Sequence, residues 1–264
     1  MRREATVDSN PTFFDFAAEV GLTKHFGGVT ATEELAALCH IGADSYVLDV
    51  GCGAGITPAF LVKRYGCRVV GVDIRPRMID RARETAQREG VADRVEFRVA
   101  DVQDLPFADN VFDAVLSESV TAFPADKARA VREYARVTKP GGYVGLGEAT
   151  WLKSPPPPEL LAWVHQDVGA TVQPLTLDEW TALLQGAGLN DVVTQLRPVS
   201  MANEARELAR RYGRGGVLRS SLRMLGLYAK SPAYRAFVKS VRREGVIPPG
   251  LNEHFGYGMY AGRK

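Results

Sequence analysis

The sequence predicts a doubly wound α/β fold, a mostly parallel sheet with helices on both faces. Three observations carry this. Apolar runs alternate with helical stretches from Tyr46 to Glu148. The runs Tyr46–Val50 and Cys67–Asp73 are almost continuously apolar, as strands buried on both faces are. A glycine-rich loop, Gly51-Cys52-Gly53-Ala54-Gly55, joins the first run to a helix. Strands separated by helices pair in parallel through right-handed crossovers.

The elements follow in order. Thr30, three residues before Glu33, has capping-box spacing, and the helix from Glu33 to Ile41 is expected to stop at Gly42. Strand Tyr46–Val50 leads through the glycine loop to a helix ending near Tyr65. After strand Cys67–Asp73, Pro76 suits the first turn of a helix and Gly90 its end. Val95–Ala100 and Phe112–Ser117 are further strands, the second preceded by the turn residues Asp109-Asn110. A helix over Asp126–Val137 is broken by Lys139-Pro140-Gly141-Gly142, and Tyr143–Glu148 is the fifth strand. Ser154–Pro158 is a proline-rich loop. Thr176-Leu177-Asp178-Glu179 opens a capped helix ending near Gly186–Gly188. Asp191–Leu196 is a strand, residues 200–246 are helical and basic, and His254–Gly262 closes the sheet.

Composition narrows the class without naming a partner. The 264 residues are 45% hydrophobic and 24% charged, with a net charge of +2, the balance of an ordinary globular protein. Cys39, Cys52 and Cys67 form no CxxC pair, which points away from a disulfide framework and from zinc. His25, His40, His165 and His254 are scattered, so no metal set is expected. No apolar stretch approaches the ~20 residues of a membrane span, and the polar start after Met1-Arg2-Arg3-Glu4 lacks a signal-peptide core. A cytoplasmic location is the expectation.

The glycine loop is the informative segment. A strand that delivers glycines to a helix N-terminus lets backbone approach a ligand at the carboxyl edge of the sheet. A dinucleotide fingerprint places Gly or Ala at the sixth position, and here that position is Ile56. Asp73, 22 residues after Gly51, stands where a carboxylate accepts ribose hydroxyls, a device common to several nucleotide cofactors.

Val47-Leu48-Asp49-Val50-Gly51-Cys52-Gly53-Ala54-Gly55 resembles motif I of the class I S-adenosylmethionine-dependent methyltransferases, the small-molecule, type 11-like group. Val69-Val70-Gly71-Val72-Asp73-Ile74 resembles the second strand with its terminal acid. Ala100-Asp101-Val102-Gln103-Asp104-Leu105-Pro106-Phe107 resembles the adenine-side loop. Phe112–Ser117 resembles the fourth strand, and Arg136–Gly142 the turn before the fifth. Together they cover about residues 45–150 and are specific as a set. The resemblance implies a Rossmann-like, seven-stranded sheet, mostly parallel with the last strand antiparallel. N-terminal helices precede it, and a helical insertion precedes the last strand. Residues 1–45 would be a helical cap, 46–199 the cofactor-binding core, 200–250 the insertion and 251–264 the final strand.

The same resemblance implies roles. S-adenosylmethionine would be the cofactor and S-adenosylhomocysteine the product. Gly51, Gly53 and Gly55 shape the loop, with Cys52 a small neutral filler, since nothing basic beside it lowers its pKa. Asp49 orients the loop or the methionine part. Asp73 takes the ribose, Asp101 the adenine amine, and the Val102 backbone meets the ring. Ile74 and Met78 are candidates for the adenine faces, with core packing the plain alternative for Met78. His25-Phe26-Gly27-Gly28 is similar to His-x-Gly-Gly segments of small-molecule members, which implies a Gly27–Gly28 hinge, Gly28 at the cofactor and His25 as a candidate base. Glu118, after Ser117 at the end of the fourth strand, is the second catalytic candidate; a base role there needs burial to raise its pKa. The Asn-Pro-Pro-Tyr signature of amino-group methylation on bases or glutamine is absent from this point.

These residues point to methyl transfer onto an O, N or C nucleophile of a small, hydrophobic or amphipathic acceptor. Phe13, Phe14, Trp151 and Trp163 suggest its pocket. The basic stretch 197–245 shows no regular alternation of aromatic and basic residues, and nucleic acid is not the expected partner. Leu218, Leu222, Leu225 and Leu227 raise contact with a membrane surface. A nicotinamide-dependent oxidoreductase and a non-catalytic cofactor-binding protein are the alternatives, and the sequence leaves the oligomeric state open.

Overall fold

A computed structural model describes residues 13–21, 23, 25–164, 172–244 and 250–264, with the side chains at 13–15, 201, 214 and 240–244 outside that description. The side chains of Phe13 and Phe14, and all of His165, therefore lie outside the described residues.

The chain alternates as the sequence predicts. Strands β1 (Tyr46–Val50), β2 (Arg68–Asp73), β3 (Val95–Val99), β4 (Phe112–Glu118) and β5 (Thr138–Trp151) are followed by β6 (Leu175–Thr176), β7 (Asn190–Pro198) and β8 (Phe255–Arg263). The helices are α1 (Phe13–Val20), α2 (Gly28–Leu38), α3 (Ile56–Tyr65), α4 (Pro76–Glu89), α5 (Lys127–Val137), α6 (Pro158–Trp163), α7 (Leu177–Gly186), α8 (Met201–Lys230), α9 (Pro232–Glu244) and α10 (Leu251–His254). The sheet order is β3-β2-β1-β4-β5-β8-β7, with β6 paired to β5. β1 to β5 are parallel, and β8 runs antiparallel between β5 and β7. The sheet thus has eight strands where seven were expected; the addition is the two-residue β6, which pairs Leu175 and Thr176 with Thr150 and Trp151. β2 and β3 follow β1 on one side of it and the chain then crosses to β4 on the other, which puts the switch in strand order at the end of β1.

The central strands are dry because helices cover both faces. Leu35, Leu61 and Ile79 from α2, α3 and α4 pack on one face, and Tyr134, Trp180 and Leu184 from α5 and α7 on the other, all fully buried or nearly so. Each such side chain contributes about 1.5–3 kcal/mol by leaving water. α4 shows why its sequence folds as it does: Pro76 sits in its first turn, and Met78, Ile79, Ala82, Thr85 and Ala86 recur at helical spacing on the buried side. Gly90 ends it in the left-handed conformation. The capping box at Thr176 and Glu179 forms in both directions.

Three local expectations are corrected. α2 starts at Gly28, not Glu33, so Thr30 lies inside the helix and forms no capping box. Its hydroxyl donates instead to Glu207 of α8, at 3.2 Å. α2 also ends at Leu38, and His40 rather than Gly42 takes the positive φ. α5 does end at Val137 as expected, but the fifth strand starts at Thr138 rather than Tyr143, so that Pro140-Gly141-Gly142 lies within β5 as a register irregularity in which Gly141 adopts φ 80°. Between β7 and β8, α8 is interrupted at Gly213, whose φ of 60° and ψ of 173° are not helical. No described helix is long and apolar enough to cross a membrane.

Candidate functional site

The glycine loop sits at the carboxyl end of β1, where the strand order switches. Gly51 has φ 70°, and a Cβ there would lie 2.2 Å from Val120, so both backbone and space demand glycine. Gly55 caps α3, and a Cβ on it would lie 2.8 Å from the Ala82 Cα, which lets α3 and α4 approach closely. Asp73, ending β2, accepts from the Gly53 N–H at 3.1 Å and the Arg75 N–H at 2.9 Å. Burial pushes its carboxyl upward and the two amides oppose that. Beside it Ile74 is 58% exposed, an open apolar face next to a carboxylate. Asp101 follows β3 and accepts from the Gln103 N–H at 2.9 Å; Val102 beside it is half-buried. Met78 is buried with Ala17 and Ala18 under α1, so it packs α1 onto α4 and presents no open face. Gly28 is likewise covered: a Cβ there would meet Glu207 at 2.5 Å, at the first turn of α2. It serves the α2–α8 contact, not the glycine loop.

Behind the loop a buried polar cluster joins four elements. Glu118 of β4 accepts from the Thr32 hydroxyl at 2.9 Å and from the Thr57 hydroxyl at 3.2 Å, and lies 3.5 Å from His25 Nδ1. Arg211 of α8 donates to Nε2 of His25 and to the Thr57 hydroxyl, the latter at 3.2 Å. His25 Nδ1 lies 3.3 Å from the Phe26 carbonyl, an arrangement that suits a proton on Nδ1 and a lone pair on Nε2 facing Arg211. Burial, then the Arg211 charge, hold His25 well below its ordinary value and so keep it neutral. Burial pushes Glu118 up, against Arg211 and the two threonines. Burial, then the Glu118 charge, raise Asp49 well above the usual carboxylate range. Burial and the carboxylates of Asp49 and Asp73 raise the Cys52 thiol, which fits a neutral filler and not a nucleophile.

Two atoms of this cluster are buried without a hydrogen-bond partner: Asp49 Oδ2 and Arg211 Nε. Such groups are costly in a packed interior unless something else meets them. They border a cavity of about 30 Å³ together with Gly51, Cys52, Thr57 and Glu118, room for about one water. Arg211 and α8 therefore close the loop's inner end. Tyr212 reinforces the closure, accepting from the Thr23 N–H at 2.6 Å and donating to the Thr23 carbonyl at 2.7 Å.

The sequence did not single out Arg211, Glu148, Thr32 or Thr57. Glu148, near the end of β5, is fully buried and accepts from the N–H groups of Val120 at 3.0 Å, Thr121 at 2.7 Å and Ala122 at 3.3 Å. It fixes the turn that presses Val120 onto Gly51. Burial, opposed by these amides, leaves its pKa at about 7. A lone acid in the apolar run Val144–Ala149 was the available signal. Arg211 carried none, being one of many arginines in its stretch.

A glycine loop at the switch point, a strand-end carboxylate and an adjacent exposed apolar residue define an α/β protein that binds a nucleoside-containing cofactor. A methyltransferase-domain family model matches residues 48–146. An uncharacterised protein of Haemophilus influenzae is 33% identical over 183 residues, 68% of this chain and 72% of that protein. The 27-O-demethylrifamycin SV methyltransferase of Amycolatopsis mediterranei is 35% identical over 174 residues, 63% of this chain and 64% of that enzyme. Among solved structures, that of the [4+2]-cyclase SpnF superposes with a TM-score of 0.70 at 18% identity, covering 99% of each chain; at that identity the likeness is one of fold. The chain belongs to the class I S-adenosylmethionine-dependent methyltransferases. S-adenosylmethionine is the cofactor.

Proposed function

We propose that this protein transfers a methyl group to an O, N or C nucleophile of a small hydrophobic or amphipathic metabolite, by in-line displacement. The observation that carries the reading is the unpartnered Asp49 Oδ2 beside the glycine loop, with Asp73 and Ile74 across it. This donor set fits the cofactor. Asp49 offers an acceptor to an ammonium group, Asp73 to ribose hydroxyls and Asp101 to an adenine amine, while Ile74 and Val102 flank the base. When bound, the cofactor supplies a methyl group already activated on a sulfonium. The protein then has to bind, orient and exclude water, and positioning alone is worth roughly 7–11 kcal/mol in favourable cases.

Phe26, Trp151, Trp163, Phe255 and Tyr257 form an aromatic group, with Phe255 and Trp151 buried in the core. Phe255 meets Trp151 at 5.3 Å, Phe26 at 5.7 Å and Trp163 at 6.5 Å between ring centres. An apolar acceptor is supported by the rifamycin relative's name. His25 takes up an acceptor proton at Nε2 once Arg211 withdraws, and Glu118 behind it stabilises the resulting charge. The test is transfer of a labelled methyl from S-adenosylmethionine to a panel of phenolic, amine and polyketide-like acceptors. Label in any acceptor, lost in Asp49→Ala, supports the reading. Tight cofactor binding with no transfer across the panel favours a non-catalytic or cyclase-like use of the fold.

A further inference from the structure

The two halves of α8 face different surroundings. Before Gly213, the helix sends Glu204, Glu207 and Arg211 towards α2 and the site. After it, Leu218, Leu222 and Leu225 are 61%, 60% and 67% exposed. Their i, i+4, i+7 spacing stacks them on one face, while Gly216 and Ser220 are buried on the other. An amphipathic helix turns such a stripe inward; here it faces out.

The flank of this stripe is basic. Arg219 and Arg223 meet Arg81 and Arg88 of α4 across a cleft of about 30 Å³. Among the described residues lining it Glu84 is the one carboxylate, bonded to Arg81 at 2.9 Å and 3.7 Å from Arg223, while Arg88 is paired with Glu89 at 3.3 Å beside the cleft. Burial, then the Arg81 charge, hold Arg223 below the ordinary arginine value, with Arg88 and Arg219 adding to the effect against Glu84. Residues 201–244 hold eleven Lys and Arg against three Glu, in a chain whose net charge is +2. Basic charge beside outward leucines complements an anionic, oily boundary. A second copy of the chain brings the same positive flank and is repelled.

We propose that the outer half of α8 docks on an anionic lipid surface. Leu218, Leu222 and Leu225 enter the acyl boundary, and the exposed Arg219 and half-exposed Arg223 beside them meet the lipid phosphates at the surface. The experiment is co-sedimentation of the full chain with phosphatidylcholine vesicles, with and without about 30% phosphatidylglycerol. The protein is expected to pellet only with the anionic vesicles and to be released when salt rises from about 0.05 M to about 0.5 M. Leu222→Asp and the double variant Arg219→Glu/Arg223→Glu should each weaken the association about ten-fold or more, a loss of roughly 1.4 kcal/mol. Both should keep the thermal shift given by S-adenosylhomocysteine, which shows them folded. No pelleting of the unaltered chain, or pelleting that ignores both variants, overturns the proposal. So does a dimer, seen by light scattering, that Leu222→Asp splits without changing vesicle binding; that result assigns the stripe to a second copy.

Discussion

Arg211 donates to the Thr57 hydroxyl at 3.2 Å, tying α8 to the first turn of α3 across 154 residues of sequence. That contact, with the one to His25, seals the inner end of the glycine loop to a space of about 30 Å³. On the proposed reading, which puts the cofactor's methionine arm beside Asp49, entry requires Arg211 to give way, and a closed arrangement would lower apparent affinity by the fraction of molecules that are open.

Arg211→Ala should therefore speed S-adenosylhomocysteine association several-fold, measured by stopped-flow tryptophan fluorescence. The same change leaves the buried Glu118 without its cation, so the melting temperature should fall. Unchanged association in a folded variant would show that α8 does not gate the loop.

Glu148 makes stability depend on pH in a defined direction. Its carboxyl titrates near 7 in the folded chain against an ordinary value of 4.5. The folded state then binds more protons than the unfolded one between those values. The stability it contributes is full below about pH 4.5 and is lost as pH rises through 7, a total on the order of 3 kcal/mol. Glu118, Asp49 and Asp73 are also raised and act with the same sign, whereas His25 is lowered and acts in reverse. Denaturant unfolding of wild type and Glu148→Gln across pH 5–7 isolates the Glu148 part. The variant should show the flatter profile, and parallel profiles would contradict the assignment.

Glu204 replaces a missing cap. The N-cap of α2 is Gly27, which has no side chain to cap with, and the Gly27 N–H donates to Glu204 Oε1 at 3.0 Å. Glu204→Ala should cost about 1–2 kcal/mol, the range of a lost N-cap with its dipole contact. Hydrogen exchange should quicken at the first turn of α2 and not in β1.

This α2–α8 contact marks where sequence reading stops. Thr30 and Glu33 have local capping-box spacing, yet tertiary carboxylates from 177 residues away take the helix start. Gly51, Gly55 and Asp73 were legible because each is dictated by its own strand–loop–helix unit. Glu148 and Arg211 were not, since their roles exist only after the sheet assembles and α8 folds back. Met78 and Gly28 show the converse: residues near the motifs in sequence whose side chains or Cα atoms face α1 and α8 instead.

The central claim is that Asp73, beside the glycine loop, holds the ribose of S-adenosylmethionine. Isothermal titration of wild type and Asp73→Ala with S-adenosylhomocysteine and with NAD tests it most directly. Binding of the sulfur cofactor alone, weakened at least about a hundred-fold by the substitution, a loss of roughly 2.7 kcal/mol, is the predicted result. Binding of NAD in its place, or unchanged S-adenosylhomocysteine affinity in folded Asp73→Ala, would contradict the account.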